Sequence, residues 1–179
     1  MVRIKHRYLL INILYPGPSS RAARAPSSAE KIPDVVQFHA PTSDLLDQRL
    51  LAKMIREGVG ELFGEWGMGM IAGSLKIIYL SPATSTAIIR VSRDHYRLVW
   101  AALTFVTRLP KPIEEACCIR VVRCSGTTRK AEEEAVRRAK EFIVKARSQG
   151  AGGAESEKAI GGAGQERDVG DVMSESEDD

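Results

Sequence analysis

The segment Ser125-Gly126-Thr127-Thr128-Arg129-Lys130 has the residue types of a phosphate-binding loop at the start of a helix. Glycine allows a close backbone approach, the first helical turn leaves amide hydrogens without partners, and two hydroxyls can donate hydrogen bonds. An ordinary Thr128 N-cap beside a turn glycine would also explain the threonine and the glycine. It does not explain two cations in a first turn, where the helix dipole disfavours positive charge. The segment therefore predicts a site for a phosphate group.

Other basic residues stand at the ends of predicted elements and extend this site. Arginine forks and lysine point charges bind phosphates without reading base sequence, so they would set affinity and register. Besides the loop residues Gly126, Thr127, Arg129 and Lys130, we predict contacts to nucleic acid from Arg3, Lys5, His6, Arg7, Arg90, Arg93 and Arg123, with Arg120 on the same predicted strand as Arg123.

The charge distribution favours a nucleic acid as the partner. The net charge is +3, but residues 150–179 hold nine acidic residues against two basic ones. Residues 1–149 therefore carry 24 basic and 14 acidic residues, an excess of ten positive charges. A domain with such an excess repels itself unless a polyanion neutralises it.

Catalysis by the chain itself has little support in the sequence. His6, His39 and His95 have no acid or nucleophile at a motif spacing, and no Walker loop, GxSxG or HExxH motif is present. The acidic triplet 132–134 is predicted to occupy the first turn of a helix, where the helix dipole favours acids and no further explanation is needed. A small phosphatase-like enzyme is therefore the least supported reading.

Cysteine usage and hydropathy predict a soluble, intracellular protein without a metal site. Cys117, Cys118 and Cys124 form no CxxC pair, so we expect reduced, small core residues. No apolar run reaches the roughly 18 to 20 residues of a membrane span, and the start lacks a secretory signal pattern.

Hydrophobic periodicity predicts a ferredoxin-like, RRM-like α/β fold (an α+β sandwich), with βαββαβ order, a four-stranded antiparallel sheet and an additional C-terminal helix. The predicted elements are a strand 7–14, a helix capped by Thr42-Ser43-Asp44 and ending near Gly64, strands 70–80 and 84–91 around a turn at 81–83, a helix capped by Ser92 and ended by Pro110, a strand 117–124, and a helix from Thr127-Thr128 to about Arg147.

Two predicted helices carry apolar residues that need neighbours. The second helix is apolar on both sides, so we expect two packing partners. The last helix has an apolar stripe that we expect to cover the open face of the sheet, which would leave nucleic acid to the rim. The stripe consists of Ala135, Ala139, Phe142, Ile143 and Ala146. An RRM-type stacking platform does not fit, because the predicted third strand has no aromatic ring.

Composition divides the chain into one domain and a tail. Residues 1–149 form the predicted basic domain, with a Pro-rich loop insert at 16–41 that holds five of the eight prolines. Residues 150–179 are glycine-rich and then acidic, which predicts a disordered tail whose serines would suit an acid-directed kinase.

Three segments together resemble one family. MVRIKHRYLL at the start, HYRLVWAALTFV in the second predicted helix and RVVRCSGTTRKAEE near the last helix are similar to the Pop-five protein subunit of eukaryotic ribonuclease P and ribonuclease MRP. The resemblance spans about 1–15 and 44–147. It implies a non-catalytic subunit that supports a catalytic RNA, which removes the 5′ leader of precursor tRNA or, in MRP, cleaves precursor ribosomal RNA.

The resemblance also implies partners and a location. We expect the catalytic RNA and a TIM-barrel-like protein among other subunits as direct partners, and precursor tRNA as an indirect one. No membrane contact is expected. Magnesium would lie on the RNA and no cofactor on the protein, and the particle would be nuclear and nucleolar. Leu98, Ala102 and Phe105 of the second helix are the expected protein interface. A pure assembly module without RNA contact is the alternative.

Overall fold

The computed structural model describes residues 5–16 and 38–151, with side chains as far as Lys145. Arg3, residues 17–37 of the predicted insert and the tail beyond residue 151 lie outside the described residues. The described elements are β1 (His6–Leu14), α1 (Gln48–Ala72), β2 (Lys76–Ser81), β3 (Thr86–Ser92), α2 (Tyr96–Phe105), β4 (Cys118–Ser125) and α3 (Thr128–Ala151). This order confirms the predicted α+β fold. None of the described helices has the length and apolar character that a membrane span needs.

The sheet has the strand order β2-β3-β1-β4, and every neighbouring pair is antiparallel. Strand β1 is therefore central. Its residues alternate between the two faces, as a strand must. Leu9, Ile11 and Ile13 are fully buried in the main core, which includes residues of α1 and α2, whereas Leu10 belongs to a smaller cluster with Ile88 and Ala131 of α3.

Helix α1 begins at a different cap from the predicted one. Asp47 is the N-cap, and its side chain accepts a hydrogen bond from the Gln48 amide at 2.7 Å. Thr42 instead lies in a buried network, because its hydroxyl accepts from the Tyr15 hydroxyl at 2.8 Å and donates to Ser85 Oγ at 2.9 Å. The predicted cap was wrong because these long-range hydrogen bonds hold Thr42 against the sheet.

Helix α1 also continues past its predicted end. Gly64 has φ 65° and ψ −162°, which kinks the helix without ending it. The second half continues because Gly67 and Ile71 are buried against the rest of the domain. A Cβ on Gly67 would lie 2.5 Å from that of Phe63, so only glycine fits there. Met70 therefore lies in α1, and the strand predicted from residue 70 begins at Lys76.

Helix α2 begins at Tyr96, and its cap is His95 and not the predicted Ser92. His95 is the N-cap and makes no side-chain cap hydrogen bond, while Ser92 Oγ lies 3.1 Å from His95 Nδ1. One side of α2 packs on α1, where a Cβ on Gly58 would contact that of Ala102 at 3.7 Å. The second neighbour expected for α2 is the sheet, since α2 also contacts β4 and β3, although Phe105 remains 69% exposed.

Helix α3 covers the second face of the sheet through its first half only. Ala131 is buried, and Ala135 packs against the same cluster, which contains Leu10 and Ile88. Further along, Phe142 is half-buried and its ring contacts His39 at a centroid distance of 4.7 Å. Ala139 and Ile143 are exposed. Among the described side chains of the predicted stripe, only Ala135 and Phe142 are thus partly buried, and the side chain of Ala146 lies outside the described ones.

Replacing Gly64 by alanine should destabilise the protein by about 1 to 3 kcal/mol, because the φ and ψ of Gly64 lie in a region that essentially only glycine adopts. No atom would clash with the new Cβ, so the effect is one of backbone conformation. Gly69→Ala is the matched control, since Gly69 is exposed, helical and equally uncrowded, and it should stabilise by up to about 1 kcal/mol. Urea unfolding measures both, and identical midpoints for Gly64→Ala and the wild type would contradict the kink.

Candidate nucleic-acid interface

The strand register brings most of the predicted contact residues to one end of the sheet. His6 pairs with Ser92, and Tyr8 pairs with Arg90 on one side and Ser125 on the other. The Arg93 amide also donates to the Lys5 carbonyl at 3.0 Å. We call this the basic end, defined by Lys5, His6, Arg7, Arg90, Arg93, Gly126, Thr127, Arg129 and Lys130. These residues are far apart in sequence, so the antiparallel pairing of β1 with β3 and β4 creates the cluster.

The loop before α3 ends in a threonine N-cap, but this cap is Thr127 and not Thr128. Thr127 is the N-cap, since its hydroxyl lies 3.4 Å from the Lys130 amide and its carbonyl accepts from Ala131. A Cβ on Gly126 would lie 3.2 Å from Nη1 of Arg7. Glycine therefore leaves room here for the close approach of the Arg7 guanidinium group, the end of a flexible side chain. Arg7 thus adds a third cation beside the two in the first turn of the helix.

The two first-turn cations differ in their surroundings. Arg129 Nε donates to Glu133 Oε1 at 2.8 Å, in an exposed pair one turn apart. Such a pair contributes only about 0.3 to 0.5 kcal/mol, so it does not fix the guanidinium group. Lys130 is exposed and makes no ion pair among the residues that the structure describes. Both side chains can therefore turn toward an anion.

Two buried polar atoms of the basic end lack a hydrogen-bond partner. Within the described part of the chain these atoms are Arg90 Nε and Ser125 Oγ, and both flank Tyr8 in the strand register. Ser125 is only 5% exposed. An unsatisfied buried donor costs about 1 to 3 kcal/mol, so its presence in a native fold calls for an explanation. Ser125 belongs to the predicted phosphate segment but not to the predicted contact residues, and its pairing with Tyr8 places both side chains on the same face of the sheet.

Arg123 was predicted as a contact but lies away from the basic end. It pairs with Leu10 in the sheet and extends to α3, where its Nη1 donates to Glu134 Oε2 at 3.0 Å. Arg137 and Arg138 bind the same carboxylate, which is 5% exposed. The acidic triplet is thus not explained by the helix dipole alone, because Glu134 lies in the second turn and has a partner on another element.

Hydrogen bonds lower the pKa of Glu134. The bonds from Arg137, followed by those from Arg138, bring it from 4.5 to about 2, against the raising effect of burial. The carboxylate therefore stays ionised throughout the neutral range. An ionised, buried carboxylate is stable only when it is paired, and here three guanidinium groups pair with it.

The predicted protein interface is only partly exposed. Ala102 is 2% exposed and packs in the intramolecular core, so a partner cannot reach it in this conformation. Leu98 is half-buried against the same core. Phe105 is exposed, and so is Trp100, which the prediction did not include.

The chain matches one known family over most of its described length. The model of the Rpp14/Pop5 family matches residues 7–136. The chain belongs to the Rpp14/Pop5 family. The POP5 subunit of ribonuclease P/MRP from Schizosaccharomyces pombe is 44% identical over 144 residues, which cover 80% of this chain and 91% of that protein. The POP5 subunit of Saccharomyces cerevisiae is 31% identical, with 77% of each chain covered. The human POP5 subunit is 27% identical and is covered to 69%.

The remaining candidate groups in this Pop5-family chain form no metal cluster. Among the described residues, no three His, Cys, Asp or Glu side chains come together as ligands. Burial raises the pKa of the Cys117 thiol to about 12, as in a core residue, whereas Cys118 points to the other face and is exposed. Cys118 therefore departs from the expectation of three core cysteines.

Acid should destabilise the chain through Glu134. Because the folded pKa is lowered, the stabilising contribution is present above the unfolded value of 4.5 and is lost as pH falls toward about 2. Between about pH 6 and about pH 3, Glu134→Gln should lose less stability than the wild type, as measured by urea unfolding. Glu132→Gln, at an exposed position of the same helix, should follow the wild type. Equal losses in Glu134→Gln and the wild type would refute the buried pairing.

Proposed function

We propose that this chain is a non-catalytic protein subunit of the ribonuclease P/MRP ribonucleoprotein. It binds and stabilises the catalytic RNA, which removes the 5′ leader from precursor tRNA and, in the MRP particle, cleaves precursor ribosomal RNA. Membership of the Rpp14/Pop5 family and the names of its relatives as ribonuclease P/MRP subunits support this role.

The observation that carries the RNA-binding part is the basic end. Cations from β1, β3 and α3 meet there beside the first turn of a helix, whose amide hydrogens favour an anion. A phosphate backbone would pair with the exposed cations and neutralise the excess charge of the domain. Arg90 Nε and Ser125 Oγ are buried, so a phosphate cannot reach them in this conformation.

The proposal assigns the cutting step to the RNA and its bound magnesium. The protein contributes positive charge and hydrogen-bond donors, which hold RNA segments close together by offsetting phosphate repulsion. Direct contact with precursor tRNA is not required for this role. A particle with this function would reside in the nucleus and nucleolus.

The Arg129→Ala/Lys130→Ala double variant should bind the ribonuclease P RNA more weakly, because two phosphate contacts are removed. The slope of log K against log salt should shrink by about 1.5 units, since each contact contributes roughly 0.7 to 0.9. Filter binding at several salt concentrations measures both quantities.

A matched control removes two exposed cations from another surface. Lys53→Ala/Arg56→Ala, on the solvent side of α1, changes the net charge equally. Its affinity and salt slope should stay closer to those of the wild type. Equal effects of the two double variants would argue against a defined site at the basic end.

A second candidate function is supported by exposed aromatic side chains. Trp100 and Phe105 of α2 are 38% and 69% exposed, and exposed aromatic residues are frequent anchors of protein interfaces. In this alternative the chain is an assembly module that contacts a TIM-barrel-like subunit or another protein of the particle and does not touch RNA.

Phe105→Ser should reduce co-purification of the protein partner roughly tenfold while RNA affinity stays unchanged, because an aromatic anchor contributes about 1 to 2 kcal/mol or more to an interface. Val144→Ser, at a 65% exposed position on α3, is the control and should leave both unchanged. Quantitative pull-down gives the answer, and equal partner recovery with Phe105→Ser and the wild type would remove α2 as the interface.

A further inference from the structure

The arrangement around Glu134 joins three arginines from two elements on one carboxylate. Arg123 comes from β4, whereas Arg137 and Arg138 come from α3. Arg137 donates from Nε to Oε2 at 3.1 Å and from Nη2 to Oε1 at 2.6 Å, and Arg138 Nε donates to Oε1 at 2.6 Å. We call Arg123, Arg137 and Arg138 the arginine cluster.

The cluster has more positive charge and more donors than its acids use. Its three cations face Glu134 and Glu141, which binds Arg137 Nη1, so one positive charge is in excess. Each guanidinium group has five N–H donors, and these acids accept only five hydrogen bonds from the whole cluster. Most of the donors therefore remain for another acceptor.

The cluster is accessible and its geometry is defined. The side chains of Arg123, Arg137 and Arg138 are 50%, 54% and 37% exposed, while Glu134 between them is 5% exposed. The buried carboxylate binds each guanidinium group, and each arginine side chain remains partly exposed. Arginines held in this way lose less side-chain entropy when they bind a ligand.

The cluster continues the basic end along α3. Arg137 follows Lys130 by seven residues, which places both on the same side of the helix and about 10 Å apart along its axis. Strand β4, which supplies Arg123, is an edge strand of the sheet. An extended polyanion could therefore follow the α3 and β4 edge from the basic end to the cluster.

We propose that the arginine cluster is a second phosphate-binding site, in which Glu134 positions the three guanidinium groups for the sugar-phosphate backbone of a structured RNA. The proposal rests on the proposed function, because it assumes that RNA occupies the basic end. Its ligand is the phosphodiester group, which planar arginine forks bind through paired hydrogen bonds. Glu134 is a positioning residue and does not itself contact the RNA.

The substitution Glu134→Gln distinguishes two explanations of RNA binding. Diffuse electrostatic attraction predicts a higher RNA affinity, and positioning of the arginines by Glu134 predicts a lower one. Glu134→Gln removes a negative charge, so simple attraction to RNA would increase. If Glu134 positions the arginines, affinity falls despite the added positive charge. Glu132→Gln makes the same charge change at an exposed position on the same helix and is the matched control.

The test measures binding of the full-length chain to ribonuclease P RNA transcribed in vitro, across a salt series. Glu134→Gln should bind roughly tenfold more weakly than Glu132→Gln, since a charge-assisted contact is lost or misplaced. An affinity for Glu134→Gln equal to or higher than that of Glu132→Gln would overturn the proposal. A thermal melt of each variant confirms that the chain is folded at the assay temperature.

A second variant keeps the test informative if Glu134→Gln does not fold. Arg137→Lys/Arg138→Lys preserves charge but removes the guanidinium forks, so it should weaken binding by roughly tenfold. Arg49→Lys/Arg56→Lys on α1 is its control and should bind like the wild type. Identical affinities for the two double variants would also overturn the proposal.

The same assay separates this proposal from the proposed function. If Arg129→Ala/Lys130→Ala loses affinity while the cluster variants bind like the wild type, only the second site is wrong. If the wild-type chain itself has no affinity for the RNA, the proposed function fails as well. Loss of a protein partner with unchanged RNA binding would assign the cluster to an acidic protein surface and overturn the RNA site.

Discussion

The antiparallel pairing of β1 with both β3 and β4 is the constraint on which the rest of the structure depends. It brings the start of β1 next to the ends of β3 and β4 and the start of α3. Each segment brings cations to this end of the sheet, and these like charges repel one another when they are close. The burial of Leu9, Ile11 and Ile13 in the main core holds them together. Stability from the core is thus used to assemble a surface that a polyanion can neutralise.

The two faces of the sheet serve different parts of this arrangement. Helices α1 and α2 close the main core, whereas α3 covers the opposite face only near its start. The open edge of β4 beside α3 is where Glu134 gathers its arginines. The two proposed anion sites therefore lie on the same helix, one at its first turn and the other about two turns later. The two proposed sites are neighbours because α3 lies beside β4.

The periodicity of apolar residues predicted the element order and the fold. Each strand or helix buries one face, and the spacing of its apolar residues therefore shows which kind of element it is. Boundaries were less predictable where long-range contacts decide them. The hydroxyl of Thr42 looked like a cap but is buried against Ser85, and the segment after Gly64 remains helical because Ile71 is buried. Residues 70–72 belong to a largely apolar run in the sequence that continues to residue 80, and only packing assigns them to the helix.

The candidate site was likewise predictable from the sequence only in part. The loop at 125–130 was predictable because its chemistry lies within six consecutive residues. The contact of Arg7 with Gly126 depends on strand register, which the sequence shows only indirectly. The unpartnered Arg90 and Ser125 atoms, and the grouping of Arg123 with Arg137 around Glu134, require tertiary structure. Local motifs thus predicted the first proposed anion site, whereas the second is inferred from non-local pairing.

The most direct test of the central claim is an ultraviolet crosslinking map of the purified particle, with the crosslinked peptides of this chain identified by mass spectrometry. The account predicts crosslinks from ribonuclease P or MRP RNA to the segments at 5–8 and 125–130. Crosslinks confined to other surfaces, or a particle that contains the chain but yields no RNA crosslink to it, would contradict the account.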